Sequence, residues 1–149
     1  MTESPRNRQI GRSIFAVLAG IVVGVALTVA TDAVLHLVGF YPPLGQTTPD
    51  KPLAVATAYR IVFSILGAYI IARLAPNRPM FHSLISGAIG IVVSTIGAIA
   101  TWNHVPPLGA HWYPVAVIVT ALPCAWMGAK LRAMQSSGGQ ERAASEIRA

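Results

Sequence analysis

Four long apolar runs alternate with short polar breaks along the chain, over about 13–39, 53–72, 83–102 and 113–130. Each is close to the roughly 20 residues that an α-helix needs to cross a bilayer. None shows the alternation of a half-buried strand, and Gly and Ala recur throughout, as in packed membrane helices. β-branched stretches such as Ile21-Val22-Val23 suit a strand in water. An open sheet, however, cannot satisfy its backbone in lipid. The pattern predicts an all-α fold: an integral membrane bundle of four transmembrane helices over 13–132. A short arm precedes it at 1–12. A flexible tail is expected at 133–149, where Ser136-Ser137-Gly138-Gly139 offers nothing apolar to bury.

Composition sharpens the class. Hydrophobic residues make up 54% of the 149 and charged residues 11%, against about a quarter charged in a soluble domain. No Asp, Glu, Lys or Arg occurs between Arg78 and Lys130, which leaves room for two spans. The net charge of +6 does not point to nucleic acid, because the basic residues flank the apolar runs instead of forming a stripe interleaved with aromatics. The lipid bilayer is the expected partner. Cys124 is the single cysteine, so a disulfide framework and a CxxC metal site are both excluded.

The flanking charges predict orientation. Arg6, Arg8 and Arg12 precede the first run, Arg73 and Arg78 separate the second from the third, and Lys130, Arg132, Arg142 and Arg148 follow the fourth. The other two connections hold only Lys51. Both termini are therefore expected in the cytoplasm, with the chain in the bacterial cytoplasmic (inner) membrane. Thr28 and Ala30 resemble a signal-peptide cleavage site. The uncharged run 13–31 nevertheless exceeds the usual 7–15 or so residues of a signal-peptide core, so a retained helix is expected.

Small residues recur at helical spacing. Gly20 and Gly24 lie in the first run, Gly87, Gly90, Ser94 and Gly97 in the third, and Gly128 in the fourth. Such positions share a face and let backbones approach. Packing within the bundle is the expected use, with a homo-oligomer or a membrane-protein partner as the other. Pro123 predicts a kink in the fourth helix. Trp102, Trp112 and Tyr113 suit an outer aromatic belt and Trp126 an inner one. Both outward connections carry Pro-Pro-Leu-Gly, at 42–45 and 106–109, either as a duplicated hairpin or as two similar helix-stopping turns.

Two charges interrupt the apolar runs, Asp32 and Arg60. Charges at membrane depth usually face a partner or a watery cavity. Counting ~1.5 Å per residue from Arg12 and Arg73 sets them about 10 Å apart in depth. Side chains lean toward the amino terminus of their helix, so on antiparallel neighbours these two lean toward each other. An ion pair in the first hairpin is expected. His36 lies one turn beyond Asp32, and His104 and His111 occupy the last connection. The candidate polar site is thus Asp32, His36, Arg60, His104 and His111. Asp32-x-x-x-His36 could place two metal ligands on one face, but no HExxH or cysteine pair accompanies it. No metal and no cofactor is expected. The sequence offers no nucleophile with a base, phosphate loop or carboxylate dyad, so an enzyme is not expected.

The strings Thr31-Asp32-Ala33-Val34-Leu35-His36, Ala58-Tyr59-Arg60, Thr101-Trp102-Asn103 and His111-Trp112-Tyr113-Pro114 resemble those of small uncharacterised four-helix bacterial membrane proteins. The resemblance spans all four helices and implies no activity. It implies that Asp32, His36, Arg60, Trp102 and His111 belong to a shared site. Small multidrug-resistance transporters are similar in having four helices and an acidic residue in the first. This chain departs from them in its strong basic bias, which disfavours dual insertion, and in the cationic partner available to Asp32. Two functions fit: a structural or accessory membrane protein fixed by an Asp32–Arg60 pair, and a transporter or small-ligand-binding protein with an outward polar site around Asp32, His36 and Arg60.

Overall fold

The computed structural model describes residues 5–105 and 107–148, with side chains over 9–105 and 107–138. Pro106 of the second Pro-Pro-Leu-Gly string, and the side chains of Arg6, Arg8, Arg142 and Arg148, lie outside the described set. The chain forms α1 (Pro5–Leu37), α2 (Asp50–Leu74), α3 (Pro79–Thr101) and α4 (Trp112–Arg148). All four are long and apolar enough to cross a membrane.

Local chemistry sets most of the ends. Gly39, at φ 74°, closes α1. Phe40 N–H bonds the Leu35 carbonyl at 2.9 Å and Gly39 N–H the His36 carbonyl at 3.1 Å, the paired bonds of a Schellman cap. Pro52 and Pro114 lie in the first turns of α2 and α4, and Pro79 opens α3, where the missing N–H has no helical partner to lose. α1 and α2 begin earlier than their apolar runs because polar first turns extend them. At the other end, α4 continues through Pro123 to Arg148, so the expected flexible tail at 133–149 is helical through Arg148. Its Ala, Arg, Gln and Glu residues prolong an existing helix without needing burial. Tyr69 OH also donates to Gln135 Oε1 at 2.6 Å.

The helices run alternately up and down. α2 is central: it packs most extensively on α4, against α1 on another side, and less on α3. The widest interface, α2 on α4, therefore joins two parallel helices. α3 packs on α4, while α1 only brushes α3 and has no contact with α4 among the described residues. The lipid-facing surface carries large apolar side chains such as Phe15, Val22, Val92 and Ile96. The core is built mainly of small ones, among them Ala16, Ala56, Ala68, Cys124, Ala125 and Ala129.

Close backbone contact holds the half of the bundle nearer the termini. A Cβ on Gly20 would lie 2.5 Å from the Gly67 carbonyl, and one on Gly67 would lie 2.8 Å from that of Gly20. A Cβ on Gly87 would meet Ala125 Cβ at 2.8 Å, and one on Gly128 would meet Ala68 Cβ at 2.7 Å. Gly24 and Gly90 have ordinary room, their nearest neighbours lying 3.5 and 3.7 Å away. The buried Ser83 hydroxyl donates to the Ala68 carbonyl at 3.0 Å, tying α3 to α2. Gly97 has nothing within 4 Å of a would-be Cβ, and Ser94 lines a cavity with it. These two positions of the expected packing stripe thus border a cavity, while Ala98 beside them is buried.

At that end the two long connections are stapled together. Thr48 pairs with Gly109 in an isolated parallel bridge, with Thr48 N–H on the Leu108 carbonyl at 2.8 Å. Thr47 Oγ1 donates to the Pro107 carbonyl at 2.6 Å, and Trp112 Nε1 to Asp50 Oδ1 at 2.8 Å. The two Pro-Pro-Leu-Gly strings are not equivalent: Gly45 turns at φ 85° in open space, whereas Gly109 sits against Leu53.

Candidate functional site at the loop end

The Gly20–Gly67 contact fixes the register of the first hairpin. Asp32 lies twelve residues beyond Gly20 and Arg60 seven before Gly67, roughly 18 and 10 Å along their helices. The remaining offset of about 8 Å is closed by the length of the arginine side chain and by the opposed lean of the two side chains. Arg60 Nη2 reaches Asp32 Oδ2 at 2.8 Å. Tyr59, one residue earlier and about 100° around the helix, donates its hydroxyl to Asp32 Oδ1. Consecutive residues of α2 therefore straddle one carboxylate and occupy both of its oxygens.

A second tier supports the first. The cap at Gly39 turns the chain so that buried Tyr41 lies against His36, ring centroids 5.0 Å apart. Its hydroxyl is 2.9 Å from that of Tyr59. With the Tyr59 hydroxyl donated to Asp32, the Tyr41 hydroxyl is the donor to Tyr59. From α4, the Tyr113 ring lies beneath the Arg60 guanidinium, 5.6 Å from centroid to Cζ, a cation–π distance. Tyr113, expected as an interfacial anchor, thus also belongs to the site. Arg60 Nε is buried without a hydrogen-bond partner.

The pair is not sealed in a helix seam. The Arg60 and Asp32 side chains remain 32% and 28% exposed, on the wall of a cavity of about 410 Å³ beneath the stapled loops. His36, Tyr41, His111 and Tyr113 line the same cavity, as do Ser94 and Gly97 from α3. His36 Nδ1 bonds the Asp32 carbonyl at 2.9 Å. His111 Nε2 bonds the Trp102 carbonyl at 3.1 Å and its ring stacks on Trp102 at 4.4 Å. His104 is exposed on the α3–α4 connection and does not line the cavity. The structure therefore brings together Asp32, His36, Arg60 and His111 and leaves His104 outside. No group of three or more His, Cys, Asp or Glu side chains among the described residues could hold a metal ion.

Tyr41, Tyr59 and Tyr113 are the site residues that the sequence reading missed. Tyr59 adjoins Arg60, but its role depends on α1–α2 register, which no local signal carries. Four helices that can each cross a bilayer define a multi-pass membrane protein. Comparison of the chain with models of protein families, with curated proteins and with solved structures gave no match.

Proposed function

We propose that this is a small multi-pass protein of the bacterial cytoplasmic membrane, both termini inside, that binds a small polar ligand in an outward-facing cavity. The observation that carries the reading is the position of the Asp32–Arg60 pair on a cavity wall, with His36 and His111 beside it. A pair serving only to lock a hairpin has no need of an adjoining void. Binding is the chemistry this reading assigns to the cavity, with each imidazole held by a backbone carbonyl.

A second reading has its own support. Both oxygens of Asp32 are taken by α2, as in a structural clamp within an accessory protein. Thermal unfolding in detergent separates the two. The native chain and the Asp32→Leu/Arg60→Met double variant would be heated with an amino acid, an alkylammonium, a glycerol phosphate and a hexose in turn. A ligand at a hundredfold its dissociation constant stabilises by about 2.7 kcal/mol. The binding reading expects at least one compound to stabilise the native chain and not the variant. Equal melting curves across the whole panel would leave the clamp alone.

A further inference from the structure

A second cavity lies below the first, about 270 Å³ in volume, between all four helices. Arg60 and Val117 line both, so the two meet at the polar pair. The lower cavity extends along α2 from Arg60 to Ile71, about 16 Å of helix. Its walls are mostly glycine, alanine and aliphatic side chains. Val25 and Val29 on its α1 side are more than half exposed, and α1 only brushes α3. The lower cavity therefore opens toward lipid through the α1–α3 cleft.

The upper cavity has a different chemistry. It presents one fixed anion and one fixed cation 2.8 Å apart. His36 and His111 each use one ring nitrogen as donor to a carbonyl, so each neutral ring keeps the other as an acceptor. A purely anionic guest meets the Asp32 carboxylate, and a purely cationic one meets Arg60. A guest bearing both signs offers its anion to Arg60 and its N–H donors to Asp32 and the imidazoles.

We propose that the two cavities form one site for a zwitterionic single-chain amphiphile. Its phosphate and ammonium occupy the loop-end cavity, and its acyl chain passes Arg60 into the α1–α3 cleft. This rests on the binding reading above and extends it into the bilayer.

The test uses delipidated full-length protein in maltoside micelles, with binding read by native mass spectrometry. The probes are palmitoyl lysophosphatidylethanolamine, palmitoyl lysophosphatidylglycerol and chainless glycerophosphoethanolamine. Gly90→Leu fills the lower cavity, and Gly90 has ordinary room for a first side-chain atom. Gly24→Leu fills it from the opposite wall and serves if the first variant fails to fold. The expected result is one bound lysophosphatidylethanolamine per native chain, with binding at least about tenfold weaker for the cavity-filling variant, about 1.4 kcal/mol. Lysophosphatidylglycerol is expected to bind about tenfold more weakly than its zwitterionic counterpart. Undiminished lysophosphatidylethanolamine binding by the filled variant overturns the proposal, as does equal binding of the two lysolipids. If glycerophosphoethanolamine binds as well as the lysolipid and Arg60→Met abolishes both, the amphiphile falls and the polar pocket stands. If neither zwitterionic compound binds, the proposal falls, and the broader panel above decides the pocket.

Discussion

The two ends of this bundle solve helix association differently. Toward the termini, backbones touch through Gly20 and Gly67, Gly87 meets Ala125 and Gly128 meets Ala68. The Ser83 hydroxyl is spent on a carbonyl of the neighbouring helix. Toward the loops, Ser94 and Gly97 of α3 line a space with Asp32, Arg60, His36, Tyr41 and Tyr113, and Tyr59 reaches Asp32 from beside it. Lipid gives little hydrophobic drive for helices to associate, so intimate contact must come from small residues. The glycine end sets distance and register, and the polar end uses that register to bring its side chains together. The loop-end cavity lies beyond the last of these close glycine contacts.

The largest effect is expected at the glycine end. In Gly128→Leu the new side chain would enter the Ile65 carbonyl and Ala68 at the α2–α4 interface. The expected destabilisation exceeds about 3 kcal/mol, beyond the usual range for overpacking, read from the unfolding midpoint in micelles. Gly97→Leu, with open space around it, should stay within about 0.5 kcal/mol. Equal losses at the two positions would erase the distinction between the ends.

The next effect belongs to the pair. Asp32→Leu strands Arg60 on the cavity wall. The expected loss is about 2 kcal/mol, below the 3–5 or so of a fully buried pair because the site is part-exposed. Adding Arg60→Met should return stability to within about 1 kcal/mol of the native chain. Damage that simply adds would show that the two side chains act separately. Tyr59→Phe is smaller again, removing one donor to Asp32 and the partner of Tyr41, at about 1 kcal/mol by the same unfolding measurement.

These contrasts bear on what the sequence could disclose. The spans were legible because bilayer thickness and helix rise leave a one-dimensional signal in hydropathy. The contact between Asp32 and Arg60 followed from burial cost, helix rise and side-chain lean, without the Gly20–Gly67 contact. Tyr59 and Tyr41 were not legible: one needs the Gly20–Gly67 contact, and the other needs the turn at Gly39 to bring it back. Gly67 has no small partner four residues away on its own helix, since Phe63 and Ile71 occupy those places. The spacing of small residues along α2 therefore does not mark it. Gly97 met the spacing rule yet faces a cavity, because spacing identifies a face of a helix and not what lies opposite.

The connections repeat the contrast on a smaller scale and carry the smallest expected effect. At the loop end, Thr47 and Thr48 brace residues 107–109, and the left-handed positions there among the described residues, Gly39 and Gly45, are glycines. At the other end the short turn 75–78 places Arg78 at φ 47° and ψ 58° directly before Pro79. A side chain in that region costs roughly 1–2 kcal/mol, whereas glycine enters it freely. The bonds made by the Arg78 carbonyl, to Phe81 N–H and to His82 Nδ1, come from the backbone and survive substitution. Arg78→Gly should therefore raise stability, read from the unfolding midpoint, by up to about 1 kcal/mol, the gain being trimmed by the greater freedom of glycine in the unfolded chain. Arg78→Ala keeps a Cβ and should give no such gain. If alanine stabilises as much as glycine, the effect lies in the lost charge, and the tight turn is no more strained than the long loops opposite.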